Sequence, residues 1–483
     1  MRDGLIATFL GVVTALSRLP FIANRLWEWD SVLYARALEH GFHVDDVLPG
    51  SRPHPPGYIF YVASAAVAKA FGLDSDHALV AVSVVASGVA VAALYLLCRR
   101  FGSRWLAILF STSFAASPLV WLHGDVAMPY ILLATLTTVL VLAFRLARGG
   151  SARRVVATSV LFGSLAGFRQ DLILFLLPLW LWMLVPASGR TRLIALGAMG
   201  AGCLLWFVPS AYLSDGPGQY VLRSVRQLAG LSGASANLER SIAVNAVLVG
   251  YSLAWALLIL LVVLVVLGLA RALAAARGMR RTTGGEGLFF GLWLVPPLVF
   301  DLFVHIGEWG FVLSLVPGLY VMLVWIVEPL AGRASRALRV GGAALIGANA
   351  LAGALLFIVG TDPVFSAASL AAHDRATDAK AAYINGRLVP GEPVVVVAAA
   401  EALVAAYYLP GHTVWYSARA AATSHERRVD RLTTIVVYEP AARPLGDAPL
   451  THVDLGSGIG LDLLPAGSGA VQLGGTELET GLQ

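Results

Sequence analysis

Residues 78–98 read ALVAVSVVASGVAVAALYLLC, an unbroken apolar run without a charge, and Arg99, Arg100 and Arg104 follow at once. About 20 apolar residues in helix cross a hydrocarbon core of about 30 Å. The arginines behind the run mark the side on which it ends. Working outward, the same pattern recurs at residues 4–22, 104–121, 127–147, 153–168, 171–187, 192–212, 243–270, 287–303, 311–328 and 340–360. Eleven spans are predicted. The chain of 483 residues is 58% hydrophobic and only 13% charged, with a mean hydropathy of +0.76, which excludes a single soluble enzyme.

With the N-terminus inside, the connections carrying Arg99 to Arg104, Arg145 to Arg154, Arg190 and Arg192, Arg271 to Arg281, and Arg333 to Arg339 all fall on the side of Arg2. The positive-inside rule holds at every turn. The formal net charge of +5 therefore reads as topology and not as a nucleic-acid surface. Cys98 and Cys203, the two cysteines, lie in or beside apolar blocks, where packing is their role and neither a disulfide framework nor a cysteine metal site is supported. The start resembles a signal sequence without a small-x-small cleavage site, and reads as an uncleaved first span.

An odd number of spans leaves the segment from Thr361 to Gln483 outside. Its 13 acidic against 8 basic residues set it apart from the basic remainder. The boundaries are thus 1–360 for a membrane domain and 361–483 for a small extracytoplasmic α/β domain with a loose end. Within the latter, helices are predicted at 366–388 and 401–408, and strands at 393–397, 413–416 and 433–438. Gly456 to Gly460 lack the strand-to-helix setting of a nucleotide loop.

The outer loop at residues 23–77 is far longer than a helix connection requires. Trp27-Glu28-Trp29-Asp30-Ser31-Val32-Leu33-Tyr34 and the four residues after it suit an amphipathic helix along a membrane surface, with Asp30 at its start. Arg52-Pro53-His54-Pro55-Pro56-Gly57-Tyr58 is a stiff turn, and Tyr58 to Phe71, too short to span, reads as an interfacial or re-entrant helix.

At these residues the sequence resembles the membrane glycosyltransferases of the GT-C fold, in the branch of the protein O-mannosyltransferases and aminoarabinose transferases. Asp30-Ser31-Val32-Leu33-Tyr34 is similar to the family's acidic-acidic-small-x-Tyr pattern, and His54-Pro55-Pro56-Gly57-Tyr58 to its basic-Pro-Pro-x-Tyr turn. Leu122-His123-Gly124-Asp125 at the start of the fourth span, Gly167-Phe168-Arg169-Gln170-Asp171 at an outer turn, and His305 to Pro317 as the last outer loop complete a likeness that covers residues 1 to 360. Ser31 stands where the family has its second acidic residue, which leaves Asp45 or Asp46 as substitutes. The resemblance implies a polyprenyl-phosphate sugar as donor, a glycan, lipid or protein as acceptor, an extracytoplasmic site and inversion at the anomeric carbon.

Such a transfer releases a phosphate that is stable as an anion, so it requires a base for the acceptor hydroxyl and donors facing the phosphate. Asp30 is the candidate base, or else a helix cap. Asp125 either orients the acceptor or caps its own helix. Arg169 and Asp171 either form a structural pair or present Arg169 to the phosphate. Arg52, His54, Tyr58 and His305 complete the predicted substrate-binding set. A divalent metal would draw on His54 and His305 with Asp45, Asp46, Glu308 or His43, although no local His-x-x-x-His spacing supports one. The alternative function is a transporter or lipid flippase, which would bind near the bilayer midplane at related halves; no internal repeat is evident.

Overall fold

The computed structural model describes residues 2–45, 53–233, 238–276, 284–304, 308–387, 394–417, 425–429, 433–442, 450–466 and 471–478. Its helices run α1 (Arg2–Arg18), α2 (Trp29–His40), α3 (Ile59–Ala70), α4 (Ser75–Cys98), α5 (Arg104–Ala115), α6 (Pro118–Asp125), α7 (Tyr130–Ala147), α8 (Ala152–Leu165) and α9 (Asp171–Leu184). They continue with α10 (Gly189–Tyr212), α11 (Pro217–Gly233), α12 (Leu238–Leu257), α13 (Ile259–Ala276), α14 (Gly284–Phe303), α15 (Val316–Arg333) and α16 (Arg336–Ile358).

Each of the eleven predicted spans corresponds to a helix or a pair of helices. Among the described residues seven helices are long and apolar enough to cross a membrane, or nine if each of two bent pairs counts as one span. The remaining two, α8 and α9, have 14 residues each and rise only about 21 Å. Both bends correct the reading of straight spans. Pro118 starts α6 after a break and turns it 59° from α5, as expected where proline cannot continue a helix. The span predicted at 243–270 breaks at Leu258, which is left-handed (φ 52°), and α13 leaves at 106° to α12. Asn349 of α16 accepts the Leu260 N–H at 3.3 Å and donates to Ser113 at 2.9 Å, so a side chain from another helix caps the new start.

Helices α1 and α4 approach closely enough that a Cβ at either Gly11 or Gly88 would come within 2.7 Å of the other's carbonyl oxygen. Small residues permit such contact in membrane bundles. The loop joining this pair bears α2 and α3. The structure corrects the surface position expected for α2: Ser31 to Ala37 are all buried, enclosed by the bundle on one side and the C-terminal region on the other.

The C-terminal region carries α17 (Ala367–Arg387), α18 (Ala402–Tyr408) and the strands β1 (Val394–Ala398), β2 (Thr413–Tyr416), β3 (His425–Val429), β4 (Thr434–Val437), β5 (Thr451–Asp454), β6 (Gly460–Leu464) and β7 (Val471–Leu478). They form one sheet in the order β3-β7-β2-β1-β4-β6-β5. The centre, β2-β1-β4, is parallel, whereas β7 and β6 flank it antiparallel. The predicted helices and central strands are present; β3, β5, β6 and β7 were not foreseen. Gly456 to Gly460 connect β5 to its antiparallel neighbour β6, and so belong to a hairpin.

This region grips the first loop. Asp374 accepts from the backbone N–H of Asn24 at 2.9 Å and of Arg25 at 3.0 Å, and the Tyr408 hydroxyl accepts from Leu26 at 2.8 Å. Tyr416 packs edge-on against Trp29 at 5.3 Å. Residues 24–29, which lead directly into Asp30, are therefore fixed from both sides.

Candidate active site

Helix α2 begins with Glu28 in extended conformation and Ser31 at its third position. The Ser31 hydroxyl accepts from the Glu28 N–H at 3.0 Å and donates to the Glu28 carbonyl. Ser31 thus closes half of a capping box. That task gives the departure from the acidic pair a local structural reason, and it relieves Asp30 of capping. The Asp30 carboxylate turns instead to His54, whose Nε2 lies 3.2 Å from Oδ1.

His54 is set by the turn that follows it. Gly57 (φ 84°) and Tyr58 (φ 48°) are both left-handed, and a Cβ at Gly57 would come within 2.5 Å of Val44. Glycine is required there. Tyr220 of α11 donates to the Pro56 carbonyl at 3.0 Å and pins the turn from the opposite side. His54 Nδ1 donates to the Pro55 carbonyl at 2.8 Å. A carbonyl and a carboxylate both only accept, so both ring nitrogens carry protons. Burial pulls the His54 pKa down, but the Asp30 charge and these hydrogen bonds outweigh it and raise it to about 9. Burial likewise pushes Asp30 up, and His54 with Arg169 more than reverses this, holding the carboxyl below its ordinary value. The pair is an imidazolium beside a carboxylate.

Arg169 lies between α8 and α9 with its side chain only 2% exposed. Asp171 accepts from its Nε at 3.3 Å and from Nη2 at 2.7 Å. The guanidinium carbon stands 4.8 Å from the Tyr58 ring centre, 5.0 Å from Tyr130 and 5.2 Å from Phe311. Burial opposes its charge, but Asp171 prevails and the pKa rises further. The cation is permanent.

These groups line one cavity of about 320 Å³, together with Glu28, Gln227 and Glu308. Glu28 and Glu308 both line it; burial, then the Glu28 charge, lifts Glu308 to about 9, and burial raises Glu28 as well. Glu308 is therefore protonated at neutral pH. Tyr130 and Asp171 are the first residues of α7 and α9, so the cavity sits at helix ends, away from the Arg-rich connections that follow α4 and α7.

The structure thus brings together Asp30, His54, Tyr58, Arg169 and Asp171. It separates Asp125, which closes α6 instead of opening a span: the next span starts only at Tyr130, after Pro129. Asp125 is fully buried, its electrostatic partner is Arg18, and neither carboxylate oxygen has a hydrogen-bond partner. His43 and Asp45 are also elsewhere, in a cluster where Arg223 contacts Asp215 at 2.7 Å and Asp45 at 3.7 Å, and His43 meets Asp215 at 3.2 Å. A guanidinium occupies the place a metal would take there, and among the described residues no group of three His, Cys, Asp or Glu could hold one. That cluster does not fit a divalent metal. Arg52, Asp46 and His305 lie outside the described residues. Glu28 was not singled out by sequence, and Glu308 was named only as a possible metal ligand; what marks them is only their position beside Asp30 and in the segment before α15.

No family model matches the sequence, and no curated protein matches it. Among solved structures, ArnT from Cupriavidus metallidurans bound to undecaprenyl phosphate superposes with a TM-score of 0.56 at 15% identity over 99% of both chains. The same protein in the apo state gives 0.53, also at 15% and 99% of both. An oligosaccharyltransferase from Archaeoglobus fulgidus in complex with Zn and sulfate gives 0.49 at 15% identity, over 83% of this chain and 60% of that one. The chain has the GT-C fold, a multi-pass helical bundle followed by a small sheet domain.

Proposed function

We propose that the chain is an integral-membrane glycosyltransferase that moves a sugar from a polyprenyl-phosphate donor to a hydroxyl of a glycan, lipid or protein on the outer side, with inversion. The observation that carries this reading is the convergence of Asp30, His54 and Arg169 on one cavity at the end of a GT-C bundle. The His54 imidazolium and the Arg169 guanidinium offer two charged donors to a phosphate, which supports the lipid-phosphate donor that the resemblance implies. That ArnT is seen with undecaprenyl phosphate supports it further.

In this mechanism the arriving phosphate draws the His54 N–H away from Asp30. The freed carboxylate accepts the proton of the acceptor hydroxyl as its oxygen attacks the anomeric carbon. The bond from that carbon to the phosphate oxygen breaks on the opposite face, its electron pair stays on the phosphate, and polyprenyl phosphate leaves. A transporter would hold its substrate near the midplane, whereas the polar groups here gather at helix ends.

The reading is tested by giving the purified chain a labelled polyprenyl-phosphate sugar and candidate acceptors and determining the product's anomeric configuration. Transfer with inversion supports it. Retained configuration, or movement of intact donor across a bilayer without transfer, contradicts it.

A further inference from the structure

A second cavity, of about 420 Å³, lies among α5, α13, α15 and α16. Its walls are apolar, with Phe110, Leu260 and Ile346 deep inside, while Arg333 and Arg339 stand at one end. Arg333 ends α15 and Arg339 lies in the first turn of α16, so both are at the Arg-rich end of the bundle, opposite the site above. From Arg339 to Ile346 the groove follows α16 for about 10 Å along the helix axis. Both arginines are exposed, and among the described residues no carboxylate pairs with either. Two arginines at this end that lie outside the groove are instead neutralised: Arg145 meets Glu286 at 2.8 Å and Arg104 meets Asp3 at 3.0 Å.

We propose that this groove binds one anionic glycerophospholipid from the leaflet at the Arg-rich end. An apolar slot running into the bundle takes an acyl chain, and two unpaired guanidiniums at its mouth, at headgroup depth, take the phosphate. Charge complementarity selects the anionic class over a zwitterionic one. The site is independent of the transfer cavity and of what that cavity binds.

Trp105 lines the groove and is 38% exposed, so it reports on occupancy. In mixed detergent micelles, brominated phosphatidylglycerol should quench the emission that distinguishes the native chain from Trp105→Phe. The Arg333→Gln/Arg339→Gln variant should need roughly tenfold more of it for half quenching. A second variant keeps both charges: Gly342 lines the groove with open space around it, and Gly342→Leu should fill the slot and remove most of the quenching. Equal quenching by brominated phosphatidylcholine at the same mole fraction, or unchanged quenching in either variant, would overturn the proposal and leave ordinary annular lipid.

Discussion

Asp30 and Asp125 were both candidate carboxylates by sequence, and each lies beside a cation, yet the fold treats them oppositely. Asp30 has a side chain 27% exposed, bonds to His54 and faces a cavity. Asp125 is sealed with Arg18, which lies 4.2 Å over Trp121 and donates to the Ala115 carbonyl. Its own backbone carbonyl accepts from Ala23 at 2.8 Å, tying the end of the first span to α6. The contrast teaches that charge near a membrane boundary marks a place where the fold must resolve it, by ligand or by burial. Space beside the charge decides which.

The largest expected effect lies on the open side of this contrast. Asp30→Asn should lower transfer by about 10² or more in a folded, membrane-inserted protein. Asp125→Asn should leave the turnover of the surviving protein within a few-fold, and any cost should fall on thermal stability, since the side chain is fully buried away from the cavity. A folded Asp125→Asn protein without turnover, or a fully active Asp30→Asn protein, would break the comparison.

Next in size is Arg169→Ala, with an expected loss on the order of 10² in transfer. The double variant Arg169→Ala/Asp171→Ala removes the unpaired carboxylate as well and should regain stability without regaining transfer. Recovery of both would make Arg169 architecture, like Arg18.

A smaller effect concerns pH. The His54 pKa is raised from 6.5 to about 9, so the protonated form stabilises the fold fully below 6.5 and that contribution is lost as pH rises through about 9. Transfer should fall over the same alkaline limb, whereas Asp30, held below its ordinary value, stays ionised through the neutral range. In a pH-rate profile His54→Gln should be slower and lack the limb near 9; a limb that persists assigns it to another group, Glu308 first. The smallest effect is expected from EDTA, which should leave transfer unchanged because Arg223 fills the cluster of His43 and Asp45. Loss on chelation with recovery on adding a divalent ion would correct this.

Much of the architecture was legible because membrane spans are written in long, one-dimensional runs: all eleven predicted blocks are helical. The break at Leu258 was not, since it interrupts an uninterrupted apolar run and depends on Asn349, 89 residues away from Leu260. Strand β1 (VVVVA) is buried at every position and reads easily, whereas β3 (HERRV), β5 (THVD) and the Gly-Gly of β7 carry no apolar alternation and lie outside the central three strands. In the site, Asp30, His54 and Arg169 stood out as polar residues in motifs. The Glu28 and Glu308 pair did not, because only the fold brings two carboxyls so distant in sequence to one cavity. Asp125 was misread because Pro118 and Pro129 shift its place in the helix order.

The most direct test is an experimental structure of the chain with undecaprenyl phosphate in a lipid nanodisc. The account predicts phosphate density in the cavity of about 320 Å³, with His54 Nε2 and the Arg169 guanidinium within hydrogen-bond distance of it and Asp30 released from His54. Phosphate bound elsewhere, with the Asp30 and His54 pair intact and the cavity empty, would contradict it.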